Sequence, residues 1–127
     1  MNLLFKSFNV EYDFENSNKN TTIMFFHGWG GNKNSFALLH KYLSKDYNLL
    51  SISFPPYFLS KSKSVNSLNL YDYITLLENI CVLHNIKNCI IICHSFGFRI
   101  TLLSQIKKFL NINKYEKNSS CIWWKFG

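Results

Sequence analysis

Long apolar runs are missing from this 127-residue sequence. No stretch reaches the ~18 consecutive apolar residues of a membrane-spanning helix, so no membrane partner is expected. The opening residues 1–8 carry Lys6 among the apolar side chains and have no cleavage-site pattern, so they do not read as a signal peptide. Acidic residues are scarce, seven against 14 basic ones, for a net charge of +7. The basic residues are scattered from Lys6 to Lys125, with no run longer than Lys107-Lys108. A nucleic-acid surface gathers them on one face with aromatics between. Scattered lysine beside abundant Asn and Ile reads instead as a compositional bias of the genome.

Disulfides are not expected either. Cys89 and Cys93 are four apart on one predicted strand, roughly 13 Å at strand rise, too far to be bridged. No pair of Cys81, Cys89, Cys93 and Cys121 has zinc-ribbon spacing. Reduced buried thiols in a cytoplasmic protein, with no metal and no cofactor, are the expectation.

The hydrophobic fraction is 47% and the aromatic fraction 17%, enough to bury a core in one domain. Residues 3–14 alternate, with Leu4, Phe8, Val10, Tyr12 and Phe14 on even positions, which predicts one half-exposed edge strand. Thr21–Phe26 is β-branched and aromatic, a second strand. Asn34 or Ser35 is placed to cap a short helix through Phe36, Leu39 and Leu43. Tyr47–Phe54 predicts a third strand, stopped by Pro55-Pro56, and Ser60–Ser67 a polar surface loop. Leu70, Tyr73, Ile74, Leu77, Ile80, Cys81 and His84 share one helical face, with Asn69 as cap and Asp72 in the first turn. Cys89–Cys93 has the continuous apolar character of a buried parallel strand, and a helix follows it. Strands alternating with helices predict an α/β fold, a doubly wound, mostly parallel sheet with helices on both faces. Its open sheet edge makes self-association an expectation.

Two glycine-bearing stretches stand where such sheets bind ligands, at the carboxyl ends of strands. The first is His27-Gly28-Trp29-Gly30-Gly31. It lacks both the Lys-Ser/Thr of a P-loop and the G-x-G-x-x-G spacing. The second is Cys93-His94-Ser95-Phe96-Gly97, a strand that runs through a serine into a helix, with small residues two before and two after it. Together they resemble the α/β-hydrolase family, and the H-G-W-G loop is similar to that of small carboxylesterases.

The resemblance implies Ser95 as nucleophile. It implies an oxyanion hole from the backbone N–H groups of Trp29 and Phe96, because the tetrahedral intermediate of acyl transfer concentrates charge on one oxygen. His27, Gly28, His94 and Gly97 are then supports of loop and turn. The expected partner is a small-molecule ester or acyl substrate. Family members often carry D-x-P-G-x-G-x-S after the third strand, and here only Pro55 and Ser60 match.

A serine nucleophile needs a base and an orienting acid. In the family these follow the serine in the chain. After Ser95 there is no histidine, and Glu116 is the only acidic side chain. The expectation is therefore residues 1–112 as the N-terminal part of an α/β-hydrolase domain, cut before its acid and base. Residues 113–127 are a divergent tail, read as out of frame, as a segment folded over the sheet edge, or as a patch around Trp123-Trp124. The functional readings are a serine hydrolase of an ester or related acyl bond, and a non-catalytic remnant or binding module with the same fold.

Overall fold

The computed structural model describes residues 1–55, 68–107 and 122–123. Strands β1 (Asn2–Phe5), β2 (Phe8–Glu15) and β3 (Thr22–Phe26) come first. Helix α1 (Ala37–Leu43), β4 (Asn48–Ile52), α2 (Leu70–Leu83), β5 (Cys89–Cys93), α3 (Phe96–Lys107) and β6 (Ile122–Trp123) follow. The strands form one mixed, mostly parallel sheet in the order β1-β2-β4-β3-β5-β6. β3 pairs parallel with both β4 and β5, and β6 parallel with β5, whereas β2 joins β1 and β4 antiparallel.

This order decides where the helices lie. The connection from β3 to β4 steps one way along the sheet. The one from β4 to β5 steps back across β3, and the one from β5 to β6 continues in that direction. Right-handed crossovers therefore put α1 on one face and α2 and α3 on the other. The side chains follow the period of two. Met24, Phe26, Leu50, Ile52, Ile91 and Cys93 pack with Tyr73, Leu76, Leu77 and Ile80 of α2 and with Phe96 and Ile100 of α3. Ile23, Phe25, Leu49 and Ile92 point the other way, toward Phe36 and Leu43.

The 3–14 strand expectation is corrected to a hairpin. Lys6 and Ser7 have φ of 44° and 70°, as a two-residue turn requires when both central residues lie in the left-handed region. Phe5 pairs with Phe8 and Leu3 with Val10. The inward parity is therefore odd before the turn and even after it, and Leu4, expected inside, is 76% exposed. Lys6 then reaches across to α2, its Nζ 2.7 Å from Asp72.

Helix α2 forms as its sequence predicts. The Asn69 side chain accepts from the Asp72 N–H, and Asp72 accepts from the Asn69 N–H, a reciprocal capping box. Burial opposes the Asp72 charge, but Lys6 and the Asn69 N–H outweigh it and hold the carboxyl below its usual range. Helix α1 differs from expectation. Its N-cap is Phe36, with no side-chain cap, because Asn32, Asn34 and Ser35 are used in the turn before it. The 60–67 loop lies outside the described residues, as does most of the tail. Within that tail, β6 lies along the β5 edge. Among the described residues no helix is long and apolar enough to cross a membrane.

Candidate active site

β3 and β5 are neighbours, yet the chain leaves β3 toward α1 on one face and β5 toward α3 on the other. Their carboxyl ends diverge there and leave a crevice, the position where open α/β sheets bind ligands. The loop after β3 is His27–Gly31 and the turn after β5 is His94-Ser95, so the topology brings both sequence stretches to one place.

Ser95 joins β5 to α3 with φ of 50°. A non-glycine residue in this left-handed region costs about 1–2 kcal/mol, and such strain persists only where the surroundings over-determine it. Three backbone bonds do so. The His94 N–H donates to Phe26 O at 3.0 Å, the Gly97 N–H to His94 O at 2.9 Å and the Phe98 N–H to Ser95 O at 3.0 Å. Ser95 is consequently exposed at the head of the turn.

Glycine is required on both sides. A Cβ on Gly97 would run into the carbonyl of Phe26, so α3 sits directly on β3. A Cβ on Gly28 would lie 2.5 Å from His94 Nδ1 and 3.2 Å from Ser95 Cβ, so the two loops touch through it. Cys93, two residues before the serine, is not crowded by the turn. It ends β5 with its side chain buried in the α2/α3 core. Its thiol bonds to Thr101, whose hydroxyl donates to Gly97 O at 2.8 Å. Burial pushes the Cys93 thiol up.

His27 is buried, and its bonds fix its tautomer. The Phe54 N–H can only donate, and it donates to Nε2 at 2.8 Å. The ring proton is therefore on Nδ1, which donates to Gly28 O at 2.6 Å. Burial lowers its pKa more than the Gly28 bond raises it, so the ring is held neutral. Both nitrogens are committed to holding the β3 loop against the end of β4.

Two further histidines are engaged elsewhere. His40 Nε2 is 2.9 Å from the Ser51 hydroxyl and His84 Nε2 is 2.7 Å from the Tyr12 hydroxyl. His94 is half-buried with its ring against Gly28. Among the described residues no group of three or more His, Cys, Asp or Glu side chains is placed to hold a metal.

A cavity of about 240 Å³ opens beside the turn, lined by the His27–Gly31 loop, Phe54, Pro55 and Phe96. Its walls are aromatic. Phe96 meets Trp29 edge-on at 6.3 Å between ring centroids, Phe54 at 6.3 Å and Tyr73 at 5.2 Å. The Tyr73 hydroxyl donates to Pro55 O at 2.5 Å and so fixes the far wall. Phe54, Pro55 and Tyr73 were not among the expected site residues. The available signal was parity. Phe54 continues the Leu50–Ile52 face of β4, and Tyr73 heads the apolar face of α2, so both point to the face that carries Phe96.

No family model matches the chain. A Mycoplasma pneumoniae protein whose name proposes an esterase or lipase is 27% identical over 93 residues, which make up 72% of this chain and 35% of that protein. The structure of a lipase-esterase related protein from Clostridium acetobutylicum is 30% identical over 81% of this chain and 43% of its own, with a TM-score of 0.61. The structure of MenH from S. aureus has a TM-score of 0.66 at 20% identity, over 81% of this chain and 39% of its own. The chain thus spans less than half the length of these relatives. Over that length its fold is α/β-hydrolase-like.

Proposed function

We propose that this chain carries the nucleophile and oxyanion-stabilising part of a serine hydrolase acting on an ester or related acyl bond. The observation that carries this reading is the strained turn at Ser95, φ 50°, wedged between β5 and α3 and touching the His27–Gly31 loop through Gly28. A hydroxyl raised on such a turn reaches a carbonyl carbon from outside the sheet. As the Ser95 oxygen bonds to that carbon its proton passes to water and the C=O π pair moves onto the carbonyl oxygen, whose charge then falls to the N–H groups of Trp29 and Phe96. Losing one donor of such a pair costs on the order of 3 kcal/mol in the barrier. His27, Gly28, His94 and Gly97 support this arrangement as loop and turn residues.

The commitments of His27, His40 and His84 favour a second reading, a non-catalytic remnant or binding module. The absence of a disulfide at Cys81, Cys89 and Cys93 suits a cytoplasmic location. Residues 1–112 are then the N-terminal part of a hydrolase domain and 113–127 a divergent tail. The pairing of Ile122–Trp123 with β5 favours a tail folded over the sheet edge rather than one out of frame. Translating the nucleotides from the Asn113 codon onward in all three frames tests this: a continuing buried-strand pattern, then an Asp and a His, supports the out-of-frame tail.

A fluorophosphonate tests the serine reading. The 127-residue chain is expected to label slowly, only at Ser95, with labelling lost in Ser95→Ala, and to show little ester turnover because His27, His40 and His84 are bonded away from it. Labelling elsewhere, or none under forcing conditions, sinks the nucleophile assignment. Steady turnover abolished by Ser95→Ala would instead identify a base within the chain.

A further inference from the structure

We propose that Tyr73, on α2, is a positioning residue that aims the Trp29 N–H through a buried chain of hydrogen bonds. The inference rests on the serine-hydrolase reading only for what that N–H does.

The chain has three bonds. The Tyr73 hydroxyl donates to Pro55 O at 2.5 Å, the Phe54 N–H to His27 Nε2 at 2.8 Å, and His27 Nδ1–H to Gly28 O at 2.6 Å. Tyr73, Pro55, Phe54 and His27 are all buried, so water competes little for these bonds. The links between the bonds are stiff. Proline locks its own φ and restricts the residue before it, so holding Pro55 O also holds the Phe54 N–H. His27 is a planar ring with one nitrogen in each of its two bonds. The last link is a peptide plane. Gly28 O and the Trp29 N–H belong to one trans peptide and point opposite ways. Whatever fixes Gly28 O therefore fixes the direction in which Trp29 offers its proton. Gly28 O also accepts from the Gly31 N–H at 3.0 Å, so the chain from Tyr73 is one of two restraints on this plane. The aim of an exposed loop's donor is thus set in part from a helix in the core.

Tyr73→Phe tests this, because it keeps the ring against Phe54 and Phe96 and removes only the hydroxyl. Tyr12→Phe is the matched control. It removes one hydroxyl bond, Tyr12 to His84 at 2.7 Å, at the other end of α2. The readouts are urea unfolding, the ¹⁵N signals of the Trp29 amide and the His27 ring, and the rate at which a fluorophosphonate labels Ser95. Both variants should lose similar, small amounts of stability. Only Tyr73→Phe should move the Trp29 and His27 signals and slow labelling, by about fivefold. That is the factor of one ordinary neutral hydrogen bond. It falls short of the roughly 10²–10³-fold cost of a missing oxyanion donor, because the Gly31 restraint remains. Pro55→Ala keeps the carbonyl but frees the lock, and should move the same signals. It decides the matter if Tyr73→Phe does not fold.

Unmoved Trp29 and His27 signals in folded Tyr73→Phe overturn the proposal, as does equal slowing in Tyr12→Phe. The two readings fail separately. If the unaltered chain does not label, the nucleophile assignment falls and the NMR signals still decide the chain of bonds. If Tyr73→Phe labels at the full rate, the positioning role falls and the nucleophile stands.

Discussion

The two faces of the sheet are built to different depths. On one, α2 and α3 close over a cluster that runs from Phe5 of the hairpin to Ile100, and six residues of α2 are buried. On the other, α1 has no buried residue, and the buried cluster is Ile23, Phe25, Leu49 and Ile92, with Phe36, Leu43, Tyr47 and Ile90 packed against it. Phe54 and Phe96, which wall the cavity, both belong to the deep cluster. The difference teaches that the candidate site is anchored through one face. The backbone bonds that hold Ser95 in its strained turn are backed by the packing of α3 and α2, whereas α1 covers the other face through Leu43 and His40 alone.

Paired truncations should break the comparison most sharply. Leu77→Ala, in the deep cluster, is expected to cost about 3 kcal/mol. Leu38→Ala, on the outer side of α1 and 80% exposed, should stay within about 0.5 kcal/mol. Urea unfolding of the two variants measures this, and similar losses would show the faces to be equally important. A step smaller, Gly97→Ala forces α3 off the Phe26 carbonyl and should cost about 2 kcal/mol. It should also shift the Ser95 and Phe96 amide signals while leaving those of α1 in place.

The smallest effect is with pH. His27, His40 and His84 all have pKa values lowered by burial, partly offset at His27 by Gly28 and at His40 by Glu15 and Asp13. The unfolded chain therefore binds protons that the folded chain refuses. Stability from these groups is complete above the ordinary histidine value near 6.5 and is lost as pH falls through their lowered folded values. Melting temperature followed from pH 7.5 to 5 should decline, and His40→Gln should flatten the slope by one histidine. An unchanged slope would place His40 in water rather than against Phe25 and Ser51.

Much of this was legible in the sequence where one local signal sufficed. β3 and β5 were readable from unbroken apolar runs, and α2 from its period and from Asn69 with Asp72. The H-G-W-G loop and the C-H-S-F-G turn identified the two stretches that the crevice brings together. Signals that depend on several elements at once were not legible. The Lys6-Ser7 turn contains neither Asn nor Gly, so nothing marked the parity change that turns Leu4 outward. Cys93 reads only as a small residue before the serine, and the alternation of β5 sends it into the α2/α3 core. The Phe54–Tyr73–Phe96 cage joins β4, α2 and α3, and none of the three segments shows it alone.

The place of β2 in the sheet also sets an order of assembly. Its turn is local, so the β1–β2 hairpin closes early during synthesis. Its other edge pairs with β4, Tyr12 against Ile52, and not with β3, which follows it in the chain. That edge must wait, unpaired, until the ribosome has delivered β4, and Lys6 waits longer still for Asp72, 66 residues on. Pairings of such long sequence separation are slow to form, and an unpaired strand edge invites contact with other chains. The β2 edge is therefore open to misassembly throughout the interval between making residue 15 and residue 52.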